Sequence, residues 1–184
     1  KVWGVTDTGL VRKQNQDAYG VDINADTGQA ICVVCDGMGG PAGGDIASHI
    51  AVGTFLQSVK SNLRSTMGPE QIQEISSFAA SLANTAIRQE VQVRSEYRGM
   101  GTTLVAAVSY AQGVVVSNVG DSRAYLIQKD SIRRVSKDHS LVERLVDLGD
   151  ITEAEARTHP KRNYITRALG PEESTLCDGF IVPM

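Results

Sequence analysis

The sequence predicts an α+β fold in which antiparallel strands pack against a pair of amphipathic helices. Apolar, β-rich segments fall into two groups, one before residue 36 and one after residue 101, and two helical patterns lie between them. Strands and helices that are segregated along the chain, rather than alternating, are typical of α+β proteins. With 184 residues the chain is long enough for one well-buried domain, so we expect a single domain over residues 1–184.

The first group of strands opens the chain. Residues 1–6 are predicted to form an edge strand, and residues 18–23 alternate well enough for a second strand, with a hairpin turn at residues 24–28. The polar loop between these strands contains Arg12 and Asp17. An arginine offers a planar fork of donors to phosphate or carboxylate, although a solvated loop charge is the more ordinary role of an isolated arginine.

The central strand ends in a carboxylate beside glycines. Residues 30–35 are six consecutive apolar residues, which predicts a strand buried on both faces. Asp36 follows, with three glycines in the next four residues. Burying a carboxylate is costly unless a cation or several donors meet it, and glycines let backbone carbonyl oxygens approach a ligand. A hard divalent cation suits such oxygens, and an ordinary Asp-Gly turn is the alternative interpretation.

Three other interpretations of this stretch fit the sequence less well. Residues 37–42 match the dinucleotide-binding glycine pattern, but no acidic residue between Asp45 and Glu70 is available for a ribose. A phosphate-binding P-loop would need a Gly-Lys-Ser/Thr sequence, which does not follow. Cys32 and Cys35 form a C-x-x-C, but their side chains point to opposite faces of a strand, which argues against a zinc site.

Residues 45–60 and 69–86 carry helical patterns. Apolar residues recur at spacings of three and four along both stretches. Pro69 and Glu70 fit the first turn of the second helix. Each helix therefore has one apolar face, and we expect an antiparallel pair packed on a sheet.

The second group of strands repeats the motif of the first. Residues 102–110 and 114–119 predict strands joined by a turn, and the second strand ends at Gly120-Asp121. One strand-terminal aspartate is easily explained by a turn. Two of them, Asp36 and Asp121, favour a shared cation.

The remaining elements are short. They are a hairpin over 124–128 and 132–135, an amphipathic helix over 141–148, a capped helical turn over 152–156, and the start of a strand over 180–184 with nothing after it to pair with. His139 and His159 lie in loops, where structural roles are more common than catalytic ones. No Ser/His/Asp or Cys/His arrangement has local support in the sequence.

Composition excludes several classes of partner. The net charge is −3 with both signs interspersed, so nothing favours a nucleic acid or a membrane surface as partner. No apolar run approaches the roughly 20 residues of a membrane span. Three cysteines, two of them in a predicted buried strand, suggest reduced thiols and a cytoplasmic location. The chain begins with Lys1 rather than Met, so we expect a fragment. An earlier targeting segment that has been removed is compatible with this start.

Six motifs in order carry a family resemblance. They are Arg12-x-x-Asn-x-Asp17, Asp36-Gly-Met-Gly-Gly40, Gly101-Thr-Thr103, Gly120-Asp-Ser-Arg123, Asp138-His-Ser140 and Ile165-Thr-Arg-Ala-Leu-Gly170. Together they resemble the bacterial metal-dependent Ser/Thr protein phosphatases of the PPM (PP2C) family. The resemblance implies a β-sandwich of two antiparallel sheets flanked by antiparallel helix pairs, with Mn²⁺ or Mg²⁺ ions in a cleft at one end. The implied substrate is a phosphorylated protein.

The same resemblance implies a role for individual residues. Asp36 would bridge two ions, Gly37 would supply a backbone carbonyl, and Asp121 would serve a third ion. Asp17 would hold water molecules bound to the ions, and Arg12 would grip the substrate phosphate. Two cations about 3.5–4 Å apart activate a bridging hydroxide and clamp an in-line displacement, so no covalent phosphoenzyme is required.

A segment next to this site is also assigned by the resemblance. Residues 141–160 would form a flap beside the active site that takes part in substrate selection.

The sequence departs from the family pattern in two respects. Met38 and Pro41 stand where many members carry a histidine that is discussed as a general acid. A metal-bound water molecule or His139 is the candidate to replace it. This chain stops before the two acidic motifs that follow in family members, so we expect an incomplete sheet and weak or absent activity of the isolated chain. The alternative function is therefore a catalytically weak PP2C-like module that binds a phosphoprotein or another partner.

Overall fold

The structure is a computed structural model that describes residues 1–40 and 43–184. The described residues form eight strands and four α-helices. In chain order these are β1 Asp17–Ile23, β2 Ala30–Met38, α1 Gly40–Asn62, α2 Pro69–Val93, β3 Gly101–Thr102, β4 Leu104–Tyr110, β5 Gly113–Val119, β6 Tyr125–Gln128, β7 Ser131–Arg134, α3 Leu141–Asp147, α4 Glu153–Thr158 and β8 Asp178–Pro183, with a 3₁₀ turn at Ser95–Tyr97.

The main sheet is antiparallel throughout. Its order is β1-β2-β4-β5-β8, and the short strand β3 pairs with the end of β2. Strands β6 and β7 form a separate hairpin. The β1–β2 register places Asp17 directly opposite Asp36, so two acidic residues meet at one end of the sheet.

Helices α1 and α2 pack on each other and cover one face of the main sheet. Phe55 of α1 and Ile72 and Ile87 of α2 are fully buried, as are Ile31 and Val33 of β2. The predicted helix pair on a sheet is therefore confirmed. Among the described residues, no helix combines the length and apolar character needed to cross a bilayer.

The opposite face of the sheet is covered in part by the β6–β7 hairpin. Val105, Val116 and Val182 form a small buried cluster there, and Leu126 and Val135 pack against it. The protein thus has antiparallel sheets on one side of the core and helices on the other, which confirms the predicted α+β class.

The prediction of an edge strand over residues 1–6 was wrong. Residues 1–16 contain no strand, and the side chains of Trp3 and Val5 are 83% and 68% exposed. The segment pairs with no strand, although Gly4 lies close to the ring of Tyr19 in β1.

The prediction that β2 is buried on both faces was also wrong. Ile31, Val33 and Cys35 are buried beneath the helices, whereas the side chain of Val34 is 46% exposed on the other face. The hairpin covers β4, β5 and β8 but does not extend over β2. Cys32 and Cys35 do lie on opposite faces, as the strand pattern predicted.

The strand predicted over residues 180–184, with nothing after it to pair with, pairs with a strand that precedes it and forms an edge of the main sheet. Strand β8 pairs with β5 from Asn118 opposite Asp178 to Gly113 opposite Pro183. The pairing joins residues about 60 to 70 positions apart, which no local pattern reveals.

Candidate metal centre

Three of the predicted site residues, Arg12, Asp36 and Gly37, line a cleft of about 860 Å³ where β2 ends. The cleft is lined by Arg12, Lys13, Gln14, Gln16, Asp36, Gly37, Met38 and Gly39. Arg12 comes from the loop before β1, whereas Asp36 and Gly37 come from the end of β2. The polar loop and the glycine-rich turn, which are separated in sequence, therefore form the two walls of one cleft.

Asp17 and Asp36 stand directly opposite each other at the paired ends of β1 and β2, beside this cleft. Although Asp36 keeps contact with solvent on its open side, desolvation by the surrounding strands raises its pKa to about 6, together with the charge and hydrogen bond of Asp17 and the charge of Asp121. The positive charge of the Arg12 guanidinium acts to lower the pKa of Asp36. Negative charge at this position is thus only partly compensated by the protein, and a bound cation would compensate the rest.

Asp121 lies close enough to Asp36 to act on its charge because Thr103 joins the two strand ends. The Thr103 amide donates to the Asp36 carbonyl oxygen at 3.0 Å, and the Asp36 amide donates to Thr103 Oγ1 at 2.9 Å. Thr103 Oγ1 also lies 2.6 Å from Ser122 Oγ, next to Asp121. Sequence reasoning found Thr103 only as part of a motif, and the structure shows that it spans the site.

Gly37 is required at its position by a close approach of the backbone. A Cβ atom there would lie 2.0 Å from the Gly44 carbonyl oxygen and 2.6 Å from the Gln16 carbonyl oxygen. The Gly37 amide donates to that Gln16 oxygen at 3.1 Å. α1 begins at Gly40 rather than at the predicted Asp45, and Gly44 in its second turn lies directly against β2.

Arg123 and Asp138 form an ion pair on the Asp121 side of the site. Arg123 Nε donates to both carboxylate oxygens of Asp138 at 2.9 Å, and this hydrogen bonding raises the pKa of Arg123. Burial raises the pKa of Asp121, and the charge of Asp138 adds to that shift. Arg134 pairs with Glu143 of α3, so the hairpin is tied to the segment predicted as a flap.

The segment 141–160 contains α3 and α4 and lines a second cleft of about 510 Å³ together with Asp121. The side chain of His139, just before it, is 7% exposed, and both ring nitrogens contact protein groups. Met38 lines the first cleft as expected from its position in the glycine turn. Pro41, the other position of the family histidine, lies outside the described residues.

The side chains at the site fit hard divalent ions that keep part of their water. No three Asp, Glu, His or Cys side chains among residues 1–40 and 43–184 gather tightly enough to hold one ion by themselves. Mg²⁺ is commonly bound through one or two carboxylates, with water completing its coordination. Asp36 and Asp121, with Asp17 behind them, supply carboxylates of that kind.

Comparisons with known proteins agree on one family. The family described as "Protein phosphatase 2C" matches residues 11–167. The serine/threonine phosphatase stp of Listeria innocua is 40% identical over 178 residues, which cover 97% of this chain and 70% of the relative. Protein phosphatase PhpP of Streptococcus pneumoniae is 33% identical over 169 residues, or 92% of this chain and 67% of that relative.

Solved structures show the same likeness. The serine/threonine phosphatase Stp1 of Staphylococcus aureus superposes with a TM-score of 0.87 at 38% identity, covering 98% of this chain and 70% of that one. PstP/Ppp of Mycobacterium tuberculosis gives a TM-score of 0.80 at 32% identity, covering 96% of this chain and 71% of that one. By sequence and by structure, the chain belongs to the protein phosphatase 2C family.

Proposed function

We propose that this chain is a metal-dependent phosphatase that hydrolyses phosphoserine and phosphothreonine in proteins, and that Asp36 and Asp121 are the carboxylates that would hold its Mn²⁺ or Mg²⁺ ions. The observation that supports this most directly is the position of Asp17 directly opposite Asp36, which lines one cleft with Arg12 and is linked through Thr103 to Ser122, next to Asp121. The named relatives are phosphatases, which favours turnover over the alternative of a module that only binds a phosphoprotein.

The chain's own residues would position the phosphate and a water molecule. The Arg12 guanidinium can donate two parallel hydrogen bonds to phosphoryl oxygens. The Asp17 carboxylate, held against Asp36, can accept a hydrogen bond from a water molecule in the cleft. Divalent ions, when bound, lower the pKa of water and neutralise phosphoryl oxygens as the bond to the leaving group breaks.

Removing divalent ions tests the proposed activity. We expect hydrolysis of a phosphothreonine peptide to fall by about 10³ after treatment with a chelator, because metal ions contribute several kcal/mol to phosphoryl transfer. Adding back Mn²⁺ or Mg²⁺ should restore the rate. Release of phosphate that is unaffected by the chelator would contradict the proposal, and tight binding of the peptide without turnover would favour the binding module.

Arg12→Ala should raise KM for a phosphopeptide by about 10–100-fold, because a hydrogen bond to a charged group contributes about 1.5–3 kcal/mol. Arg12→Lys keeps the charge but loses the planar fork, so we expect an intermediate KM. The matched control is Lys129→Ala, which removes an exposed charge from the turn between β6 and β7. The measurement is steady-state kinetics. Equal KM values for Arg12→Ala and Lys129→Ala would contradict the assignment of Arg12 to the phosphate site.

A further inference from the structure

The turn that carries Asp121 is held at two points by one residue. β5 ends at Val119, and Gly120 follows with φ +103, a conformation that L side chains rarely adopt. The Gly120 amide donates to His139 Nδ1 at 3.0 Å, and the His139 amide donates to the Gly120 carbonyl oxygen at 2.9 Å. Both backbone polar groups of Gly120 are therefore bonded to His139.

The bond from Gly120 fixes which nitrogen of His139 carries a proton. Because Nδ1 accepts a hydrogen bond from an amide, its lone pair is free of a proton, and the ring proton resides on Nε2. Nε2 lies 3.1 Å from Asp178 Oδ2, to which it donates. Arg167 Nη1 also lies 3.1 Å from Nε2, and its own hydrogen bond goes to the other oxygen of Asp178. An imidazolium would place a second N–H against the N–H of Gly120 and break this arrangement.

Asp178 is itself anchored. Arg167 Nη1 donates to Asp178 Oδ1 at 2.6 Å and to the Leu176 carbonyl oxygen at 3.2 Å. Partial burial acts to raise the pKa of Asp178, but the hydrogen bonds from His139 and Arg167 outweigh it and leave that pKa lowered. A continuous set of contacts thus runs from Arg167 through Asp178 and His139 to the turn.

The same contacts leave no nitrogen of His139 for a proton-transfer role. Its side chain is only 7% exposed. Within the described part of the chain, the cleft that holds Asp36 and Arg12 is lined by other residues. A general acid needs a proton within hydrogen-bond reach of the leaving group, and the Nε2 proton of His139 faces Asp178 instead.

We propose that His139 is a positioning residue that acts through Gly120. It fixes the position of the Asp121 carboxylate relative to Asp36, and in this way it determines the affinity for the divalent ion at Asp121. The proposal rests on the proposed function, because it takes Asp121 as an ion ligand. Residues that orient a ligand from behind typically change metal affinity or activity by about 10–100-fold when mutated.

Two substitutions separate the two ring nitrogens. His139→Asn places an amide oxygen near the position of Nδ1, so it keeps an acceptor for Gly120. His139→Gln places its amide near the position of Nε2, so it keeps the contact with Asp178 and loses the acceptor. Mn²⁺ binding is followed by calorimetric titration, and the site of interest is defined as the one lost in Asp121→Asn.

We expect His139→Gln to weaken Mn²⁺ binding at that site by about 10–100-fold and His139→Asn by only about threefold. The ratio of rates on p-nitrophenyl phosphate and phenyl phosphate should stay at its wild-type value in both variants. Wild-type Mn²⁺ affinity in His139→Gln, or a rate loss confined to phenyl phosphate, the poorer leaving group, would overturn the proposal and restore His139 as the candidate acid.

Asp178→Asn provides a second route if a histidine variant fails to fold. It keeps the ring and removes the charge that orients it, so we expect a weaker effect, about 3–10-fold on the same Mn²⁺ site. Unchanged affinity in this variant would also overturn the proposal. If Asp36→Asn and Asp121→Asn both bind Mn²⁺ as the wild type does, the result would instead contradict the proposed function itself.

Discussion

Asp36→Asn should lower metal-dependent turnover by about 10³ or more, since it removes the carboxylate on which the bound ions depend and several kcal/mol of transition-state stabilisation with it. The substitution keeps the size and shape of the side chain. It also keeps the backbone bonds to Thr103, so the end of β2 should stay in place. The measurement is the rate of phosphopeptide hydrolysis at saturating Mn²⁺.

The same variant should have the opposite effect on stability in the absence of metal. Asp36 lies against Asp17 and near Asp121, and removing one of three neighbouring negative charges relieves repulsion. We therefore expect metal-free Asp36→Asn to melt at a higher temperature than the metal-free wild type. The matched control is Asp130→Asn in the exposed β6–β7 turn, which should change neither turnover nor melting. Loss of activity together with a lower melting temperature would indicate a structural role for Asp36.

Gly37→Ala should damage both the fold and the site. The added Cβ would lie 2.0 Å from the Gly44 carbonyl oxygen, a backbone atom that cannot turn aside. The end of β2 and the start of α1 must therefore separate, at a cost of about 1–3 kcal/mol or more. Displacing the carboxylate by about 1 Å should lower turnover by about 10².

Gly53→Ala is the control for this prediction. Gly53 lies within α1, and a Cβ there would meet nothing within 4 Å. Alanine is favoured over glycine in a helix by about 1 kcal/mol, so this variant should be slightly more stable and fully active. The measurements are thermal denaturation and turnover of the two variants. A melting temperature and a turnover rate of Gly37→Ala equal to those of the wild type would contradict the interpretation.

The parts of the site that sequence reasoning could predict are those encoded by local pattern. Asp36 and Asp121 each follow an apolar strand and sit beside glycine, and the structure places both at the same end of the sheet. The hairpin register that brings Asp17 opposite Asp36 follows from the turn between β1 and β2. The two strand ends and the β1–β2 hairpin are local features, which apolar runs and turn residues reveal. The placement of Asp36 and Asp121 at the same end of the sheet depends instead on the pairing of β2 and β5 with β4.

The features that sequence reasoning missed depend on contacts between distant segments. The pairing of β8 with β5 and the bonds of Thr103 to Asp36 each join parts of the chain separated by some sixty residues. The exposure of Val34 depends on how far the β6–β7 hairpin reaches across the sheet. An apolar run records which residues favour a strand, but not which layer will cover it.

The most direct test of the central claim is anomalous diffraction from crystals of the protein grown with Mn²⁺. Carboxylate ligation of a divalent ion predicts an anomalous peak within about 2.5 Å of an Asp36 carboxylate oxygen, with further Mn²⁺ on the side of Asp121. Peaks confined to acidic residues elsewhere on the surface, at Mn²⁺ concentrations that support turnover, would contradict the assignment of this cleft as the metal centre.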